Sequence, residues 1–338
     1  LAAVSEVKNI LIIGVGSIGE RHLRCFQATE RVTTAICEVN AELRKRIAEQ
    51  YGVRRAYADL ESALAGSYDA AVIATPAHLH IPMAIQLAEA GVHLLIEKPL
   101  STSVDGIEVL EATLERRNLR AAVAYVLRHE PAVAAMREAV RSGRFGRPVE
   151  LVAVCGQHFP TYRPAYREIY YANRATGGGA IQDAITHIMN AGQWLVGPMD
   201  RLVADAAHQV LEGVEVEDTV HVLARHGDLM ATYSLNQHQA PGEISITVIC
   251  ERGTCRCELY RHRWAWMTEP DSTWQEERFH VAGRDVLFIT QASAFLDLLD
   301  GKAEPTCTLQ EGAHTLRTNL AALDSVDEGA WQTIHNPG

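Results

Sequence analysis

Apolar residues in the first third of the chain come in short runs separated by stretches of helical spacing, and the two textures alternate. Residues 9–15 (NILIIGV) form an apolar run of strand length, and 19–29 read as the helix that follows. Residues 33–38 give a second strand and 42–51 a second helix, closed near Gly52. The alternation continues through 68–74, 81–90 and 92–96, and a helix over 104–117 leads to a further strand at 121–126. Such a series builds a doubly wound parallel sheet with helices on both faces.

A helix at 131–141 ends in the turn-rich Ser142-Gly143-Arg144-Phe145-Gly146-Arg147-Pro148, after which the period changes. Residues 149–157, 201–209, 219–226, 229–237, 244–251, 254–260 and 263–267 alternate apolar and polar positions. Their hairpin-like spacing predicts an open-faced, largely antiparallel sheet, with helices over 179–195, 285–300 and 309–328. The fold class is therefore α/β, an N-terminal Rossmann domain at 1–126 joined to a C-terminal α+β domain at 127–338. The length agrees, since 338 residues exceed what one core usually organises. Alternation at Val220, Val222 and Ala224 marks a candidate surface for a homodimer or homotetramer.

Composition excludes more than it assigns. With 31 basic and 42 acidic residues the formal charge is -11, which disfavours broad attraction to nucleic acid or anionic membranes. No apolar run approaches the roughly 20 residues of a membrane-spanning helix. Residues 1–7 lack the layout of a secretory signal, and a chain that does not open on Met leaves a removed leader an open question. Seven cysteines, an odd number without a C-x-x-C pair, fit a reduced, cytoplasmic protein. Cys255 and Cys257 would point the same way on a strand. Without a Cys/His set around them they read as packing residues, and no metal is expected.

Gly14-Val15-Gly16-Ser17-Ile18-Gly19 directly follows a strand and opens a helix, the context in which G-x-G-x-x-G carries weight. Gly14 permits the tight turn, Gly16 lets the backbone approach a pyrophosphate, and Gly19 allows helix to pack on strand. The N–H groups at the helix start, with Ser17 and Ile18, then receive phosphate oxygens. Glu38 lies 19 residues after Gly19 at the end of the second strand, where it can accept from ribose hydroxyls and repel a 2′-phosphate. Val39 and Asn40 follow it rather than a base, so NAD(H) is favoured over NADP(H), with Arg44 and Lys45 farther along as the counter-signal.

Three more segments are Ala74-Thr75-Pro76-Ala77-His78-Leu79-His80, Glu97-Lys98-Pro99 and Gly177-Gly178-Gly179-Ala180-Ile181-Gln182-Asp183-Ala184-Ile185-Thr186-His187. In this order and separation the chain, over nearly its whole length, resembles the glucose-fructose oxidoreductase, inositol dehydrogenase and rhizopine-catabolism family (Gfo/Idh/MocA). The resemblance implies a nucleotide-binding domain, an open-faced sheet, and substrate held between that sheet and the nicotinamide. It makes Lys98 the active-site lysine, also counted with Glu97 at the cofactor site, and Asp183 and His187 the catalytic pair. Thr75, Pro76 and His80 become the loop beside the nicotinamide ribose, with Ala77 where the family often has Asn. The bond before Pro99 is expected to be cis.

Asp183 and His187 are four residues apart, so on a helix they share one face, which Asn190 extends. An imidazole titrating near neutrality can take a hydroxyl proton as hydride leaves carbon, and a carboxylate beside it stabilises the imidazolium. Lys98 can polarise the same oxygen or share the proton. Which of Lys98 and His187 is the formal base is left open.

Residues 157–171, rich in aromatics and arginines, offer a substrate wall in which Tyr162 binds hydroxyls and Arg163 or Arg167 clamps an anion. A dimer arm or a surface loop held by its own tyrosines is the competing reading. Arg128 matches an arginine common at the family's domain junction, with a structural salt bridge as its rival, and His238 is a candidate for the opposite wall. The expected function is hydride transfer between NAD(H) and a hydroxyl or keto carbon of a sugar, sugar acid, cyclitol or nucleotide sugar. The alternatives are an NAD-dependent glycosidase using transient oxidation and a non-catalytic NAD-binding sensor.

Overall fold

The apolar runs of the first third become six parallel strands, β1 (Lys8–Ile13), β2 (Val32–Cys37), β3 (Arg55–Tyr57), β4 (Ala70–Ile73), β5 (His93–Ile96) and β6 (Ala121–Val123). Their order is β3-β2-β1-β4-β5-β6, with β1 pairing in parallel to both β2 and β4. Strand order reverses beside β1, the switch point at which a doubly wound sheet opens a crevice for a dinucleotide. Ile10, Leu11 and Ile12 are all fully buried because helices cover both faces, which is why β1 reads as an unalternating run. β3 and the helix Leu60–Leu64 escape the sequence pattern because they are only three and five residues long.

The computed structural model describes residues 7–283 and 285–335, so residues 1–6, read above for a secretory layout, lie outside the described part. The chain divides into two units, 1–126 with 282–313, and 127–281 with 314–338. The sequence reading placed 282–313 in the second domain. In the structure the helix Asp285–Leu299 instead packs on the helix Ser17–Gln27. Phe295 meets Phe26 edge to face at 6.2 Å, a geometry worth about 0.5–1.5 kcal/mol beyond the area buried. Asp285 accepts from Arg24 Nε at 2.5 Å and Nη2 at 2.8 Å, and Asp300 accepts from Arg31 at 3.2 Å. An apolar stripe of Ala292, Phe295, Leu296 and Leu298 needs a partner, and chain order does not say which element supplies it.

The second unit holds β7 (Pro148–Gly156), β8 (Arg201–Ala207), β9 (Thr219–His226), β10 (Leu229–Asn236), β11 (Glu243–Cys250), β12 (Gly253–Glu258), β13 (Arg263–Met267), β14 (Gln275–Arg278) and β15 (Gln332–Thr333). Their order is β14-β13-β12-β11-β7-β10-β9-β8-β15. Only β7 and β10 run parallel to one another, so the sheet is mixed but mostly antiparallel. Val220, Val222 and Ala224 were read as a surface for self-association. They are buried toward the helix layer, while Leu223 and Met230 on the opposite face are 53% and 58% exposed. Alternation with a period of two defines two faces without saying which one meets the helices. Cys255 and Cys257 lie fully buried in the same core, the Cys257 thiol against the Met136 sulfur at 3.2 Å, as packing residues do. No helix among the described residues is long and apolar enough to cross a membrane.

His129, in the short turn Val126–His129, carries a pH dependence of its own. Burial, and then the charge of Arg128, push its pKa down to about 4. An unfolded chain takes up that proton near pH 6.5, whereas the folded one resists it, so folding stability falls as pH drops from about 6.5 to about 4. The loss amounts to on the order of 3 kcal/mol. Urea denaturation of the parent and of His129→Gln across this range checks it: the parent should lose stability more steeply on acidification, and parallel curves would refute the assignment.

Candidate active site

In the first unit the chain leaves β1 through Gly14, whose φ of +78° favours glycine and whose absent Cβ would lie 2.8 Å from the Ala74 carbonyl oxygen. A Cβ on Gly19 would sit 1.8 Å from the Gly14 carbonyl oxygen, so the helix can come this close to the turn only with glycine there. Gly16 is different: nothing lies within 4 Å of its Cβ position, it is exposed with Ser17, and Ile18 is half-buried. No side chain caps the first turn of the helix Ser17–Gln27, so its amides and positive end are presented to a ligand. Glu38 is held just past β2, Oε2 accepting from the Val15 amide at 3.0 Å and Oε1 from the Asn40 amide at 2.9 Å. Arg44 donates to the Glu38 carbonyl oxygen at 2.5 Å. A turn open at Gly16, an uncapped helix end and a fixed carboxylate fit a dinucleotide.

Two loops complete this unit's candidate residues. Thr75 is half-buried and Pro76 exposed after β4, whereas His80 is buried and joins the loops after β4 and β5. Its Nδ1 lies 3.0 Å from the Pro99 carbonyl oxygen and its Nε2 2.7 Å from that of Thr75. Burial lowers the His80 pKa, so near neutrality the ring is uncharged and donates to one of these carbonyls at a time. The Lys98–Pro99 bond is cis, as expected. Glu97 is buried, Oε1 at 2.6 Å from His22 Nε2 and Oε2 accepting from the Lys98 amide at 3.0 Å. Burial pushes its carboxyl up, but the hydrogen bond from His22 and the charges of His22 and Lys98 outweigh this and keep it below the usual range. Glu97 therefore fixes the backbone on which Lys98, itself half-buried, is mounted.

In the second unit the triple glycine has a reason the sequence does not show. A Cβ on Gly178 would lie 2.2 Å from the Tyr171 carbonyl oxygen, and one on Gly179, at φ +87°, 2.5 Å from Glu217 Oε1. Glu217 is buried and starts the following helix: its backbone oxygen accepts from the Ala180 amide at 2.9 Å and Oε1 from the Ile181 amide at 3.0 Å. Arg174 donates to its Oε2 at 3.2 Å. The first turns, Ala180–Ile185, are π-helical, and α-helix runs over Thr186–Val196. A regular helix was expected from 179 onward. The wider turn instead carries Asp183, and such turns occur frequently at functional sites. Asp183 is 8% exposed and Oδ1 accepts from the Tyr170 hydroxyl at 2.8 Å, while His187 is half-buried.

Asn190 is buried, Oδ1 accepting from Arg128 Nε at 2.9 Å and Nδ2 donating to Thr315 Oγ1 at 2.9 Å. Arg128 itself is 4% exposed and lies over the Trp194 ring, which favours the structural of its two readings. The aromatic segment packs as a small core of Phe159, Tyr166 and Tyr171 with Leu211, Val214 and Val216. Arg167 stacks on Tyr166 and donates to the Glu212 carbonyl oxygen at 2.7 Å, so its guanidinium is engaged by the 208–217 loop. Tyr162 is 44% exposed, Arg163 is half-buried, and His238 Nε2 lies 3.2 Å from Thr219 Oγ1. Sequence reasoning missed Tyr170 and Glu217 as site builders. The alternation of apolar and acidic residues in Val214-Glu215-Val216-Glu217 was the available signal for the second.

A Rossmann unit with a glycine cradle, followed by a mixed-sheet unit carrying an acid and a histidine on one helix, defines the class of protein. Residues 8–125 match the model of an oxidoreductase family with an NAD-binding Rossmann fold, and 133–256 match the GFO/IDH/MocA C-terminal domain. The chain belongs to the Gfo/Idh/MocA oxidoreductase family. It is 29% identical over 199 residues to levoglucosan dehydrogenase of Pseudarthrobacter phenanthrenivorans, covering 56% of this chain and 51% of that protein. It is 27% identical over 191 residues to inositol 2-dehydrogenase/D-chiro-inositol 3-dehydrogenase of Shouchella clausii, covering 55% of this chain and 52% of the relative. These alignments thus span about half the length of both relatives. A structure of levoglucosan dehydrogenase in complex with NADH and levoglucosan shares the fold at a TM-score of 0.88 and 20% identity, over 97% of this chain and 100% of that one.

Proposed function

We propose that this protein is an NAD(H)-dependent dehydrogenase or reductase acting on a hydroxyl or keto carbon of a sugar, sugar acid, cyclitol or nucleotide sugar. The observation that carries the reading is Asp183: a nearly buried carboxylate on a π turn, four residues before a half-exposed histidine, in a chain of this family. Binding a dinucleotide alone requires no such pair. Nicotinamide, when bound, supplies the hydride acceptor or donor. In this reading His187 takes or returns the hydroxyl proton and the Asp183 carboxylate favours the imidazolium, while Lys98 keeps the role of active-site lysine that the family pattern implies. The Gly14–Gly19 turn binds the pyrophosphate and Glu38 the ribose hydroxyls, which favours NAD(H) over NADP(H). Thr75, Pro76 and His80 form or support the loop beside the nicotinamide ribose. Tyr162, Arg163 and His238 remain candidates for substrate contacts.

The names of the relatives, which include dehydrogenases of levoglucosan and of inositol, support a polyhydroxylated substrate. Seven cysteines without a C-x-x-C pair favour a reducing compartment. The exposed Leu223 and Met230 on the outward face of this sheet are the candidate contacts for self-association as a homodimer or homotetramer. The test is steady-state nicotinamide reduction with NAD and NADP against a panel of sugars, uronates, cyclitols and nucleotide sugars. Net NADH formation with at least one of them, faster with NAD, is expected. Sugar cleavage without net NADH would instead identify a glycosidase, and no turnover in either direction across the panel would overturn the reading.

A further inference from the structure

We propose that Tyr170 is a positioning residue for the second unit's acid, its phenol fixing the Asp183 carboxylate in place and in its ionised form. This rests on the reading of Asp183 and His187 given above. The Tyr170 hydroxyl donates to Asp183 Oδ1 at 2.8 Å. It is delivered by a braced segment: the Tyr170 carbonyl oxygen accepts from Thr176 Oγ1 at 2.8 Å and from the Asn173 amide at 3.2 Å. Next to it, Tyr171 is fully buried, 4.6 Å from the Phe159 ring, with its hydroxyl on Gln237 Oε1. The glycine run lies against this segment so closely that a Cβ on Gly178 would stand 2.7 Å from the Tyr170 carbonyl oxygen.

Acidic side chains gather about the segment that carries this donor. Glu217 and Asp218, from the loop between β8 and β9, act together with Asp183 on Tyr171, whose pKa is raised by burial first and then by these three carboxylates. Like charges disfavour one another's ionisation. Arg174 is engaged by Glu217, at 3.2 Å, and by Asp327, at 3.4 Å. His187, on the following helix, is the partner the proposed chemistry charges transiently. A hydrogen bond donated to the charged form of a carboxylate works in the opposite sense to its acidic neighbours, favouring ionisation, and the Tyr170 hydroxyl makes that bond.

Tyr170→Phe removes the donor and leaves the ring. The expected result is about a tenfold fall in kcat at neutral pH with unchanged NADH binding, and an acid limb of the kcat/KM profile moved up by about one pH unit. In an Asp183→Asn background the same substitution should cause no further loss. Equal fractional losses in both backgrounds, or an unshifted acid limb, would show that Tyr170 only supports the fold and would overturn the proposal. Carboxyl-carbon NMR titration of Asp183, assigned with Asp183→Asn, reads the same bond without turnover: its midpoint should rise by about one pH unit in Tyr170→Phe. An unmoved midpoint defeats the proposal even in an inactive preparation. A shifted midpoint with full turnover in Asp183→Asn would defeat the catalytic reading of Asp183 and leave the positioning bond intact.

Discussion

Replacing His187 with Ala is expected to slow nicotinamide reduction by about 10²–10⁴-fold, the usual contribution of a positioned acid–base group, while NADH affinity measured by fluorescence titration stays unchanged. The separation is expected because the glycine turn, the uncapped helix end and Glu38 all belong to the first unit, whereas His187 belongs to the second. The substitution should not unfold its helix, since Ala favours helix and the neighbouring Ile188 and Met189, fully buried, keep it anchored. A loss shared equally by kcat and kcat/KM would mark an interaction made only in the transition state. Full turnover in the variant would remove His187 from the chemistry.

Much of the fold is legible in the chain because periodicity reports burial. The run at 9–15 reads as a strand covered on both sides, and Ile10 to Ile12 are indeed fully buried in β1. The glycine turn is equally readable, since the positive φ of Gly14 and the packing of Gly19 on the Gly14 carbonyl oxygen are both requirements of the turn itself. What escapes the sequence is set by distant partners. The helix Asp285–Leu299 shows its stripe but not that Phe26 will meet it. The triple glycine announces a close approach, but only the fold reveals that the Tyr171 carbonyl and the Glu217 carboxylate are what it approaches.

The π turn is hidden for a different reason. Over the six residues Ala180–Ile185 an apolar pattern cannot distinguish a helix with i→i+5 bonds from an ordinary one, yet the difference decides where Asp183 points. Arg167 shows the limit from the other side. An arginine in an aromatic segment signals either an anion clamp or a stacking partner, and Tyr166 with Glu212 supplies the second use. Tyr170 lay inside the flagged segment, but its bond to Asp183 spans 13 residues and a glycine run, beyond what local spacing encodes.

Two glycine substitutions should separate what the nucleotide turn does for the fold from what it does for the ligand. Gly16→Ala is expected to leave the melting temperature nearly unchanged: φ there is -63°, which any residue adopts, and nothing lies within 4 Å of the added Cβ. In the proposed reading that open space receives the pyrophosphate, so NADH affinity should fall by roughly 10²-fold, about 2.7 kcal/mol. Gly19→Ala should cost both. Its Cβ would stand 1.8 Å from the Gly14 carbonyl oxygen, a backbone atom whose displacement must move either the turn or the helix. A destabilisation on the order of 1–3 kcal/mol, the range for overpacking a tight site, should accompany an equal or larger loss of NADH binding. Calorimetric melting and NADH titration on both variants read the two effects independently. If Gly16→Ala bound NADH as tightly as the parent, the dinucleotide would have to be seated away from this turn, and the assignment of the cofactor site would fall with it.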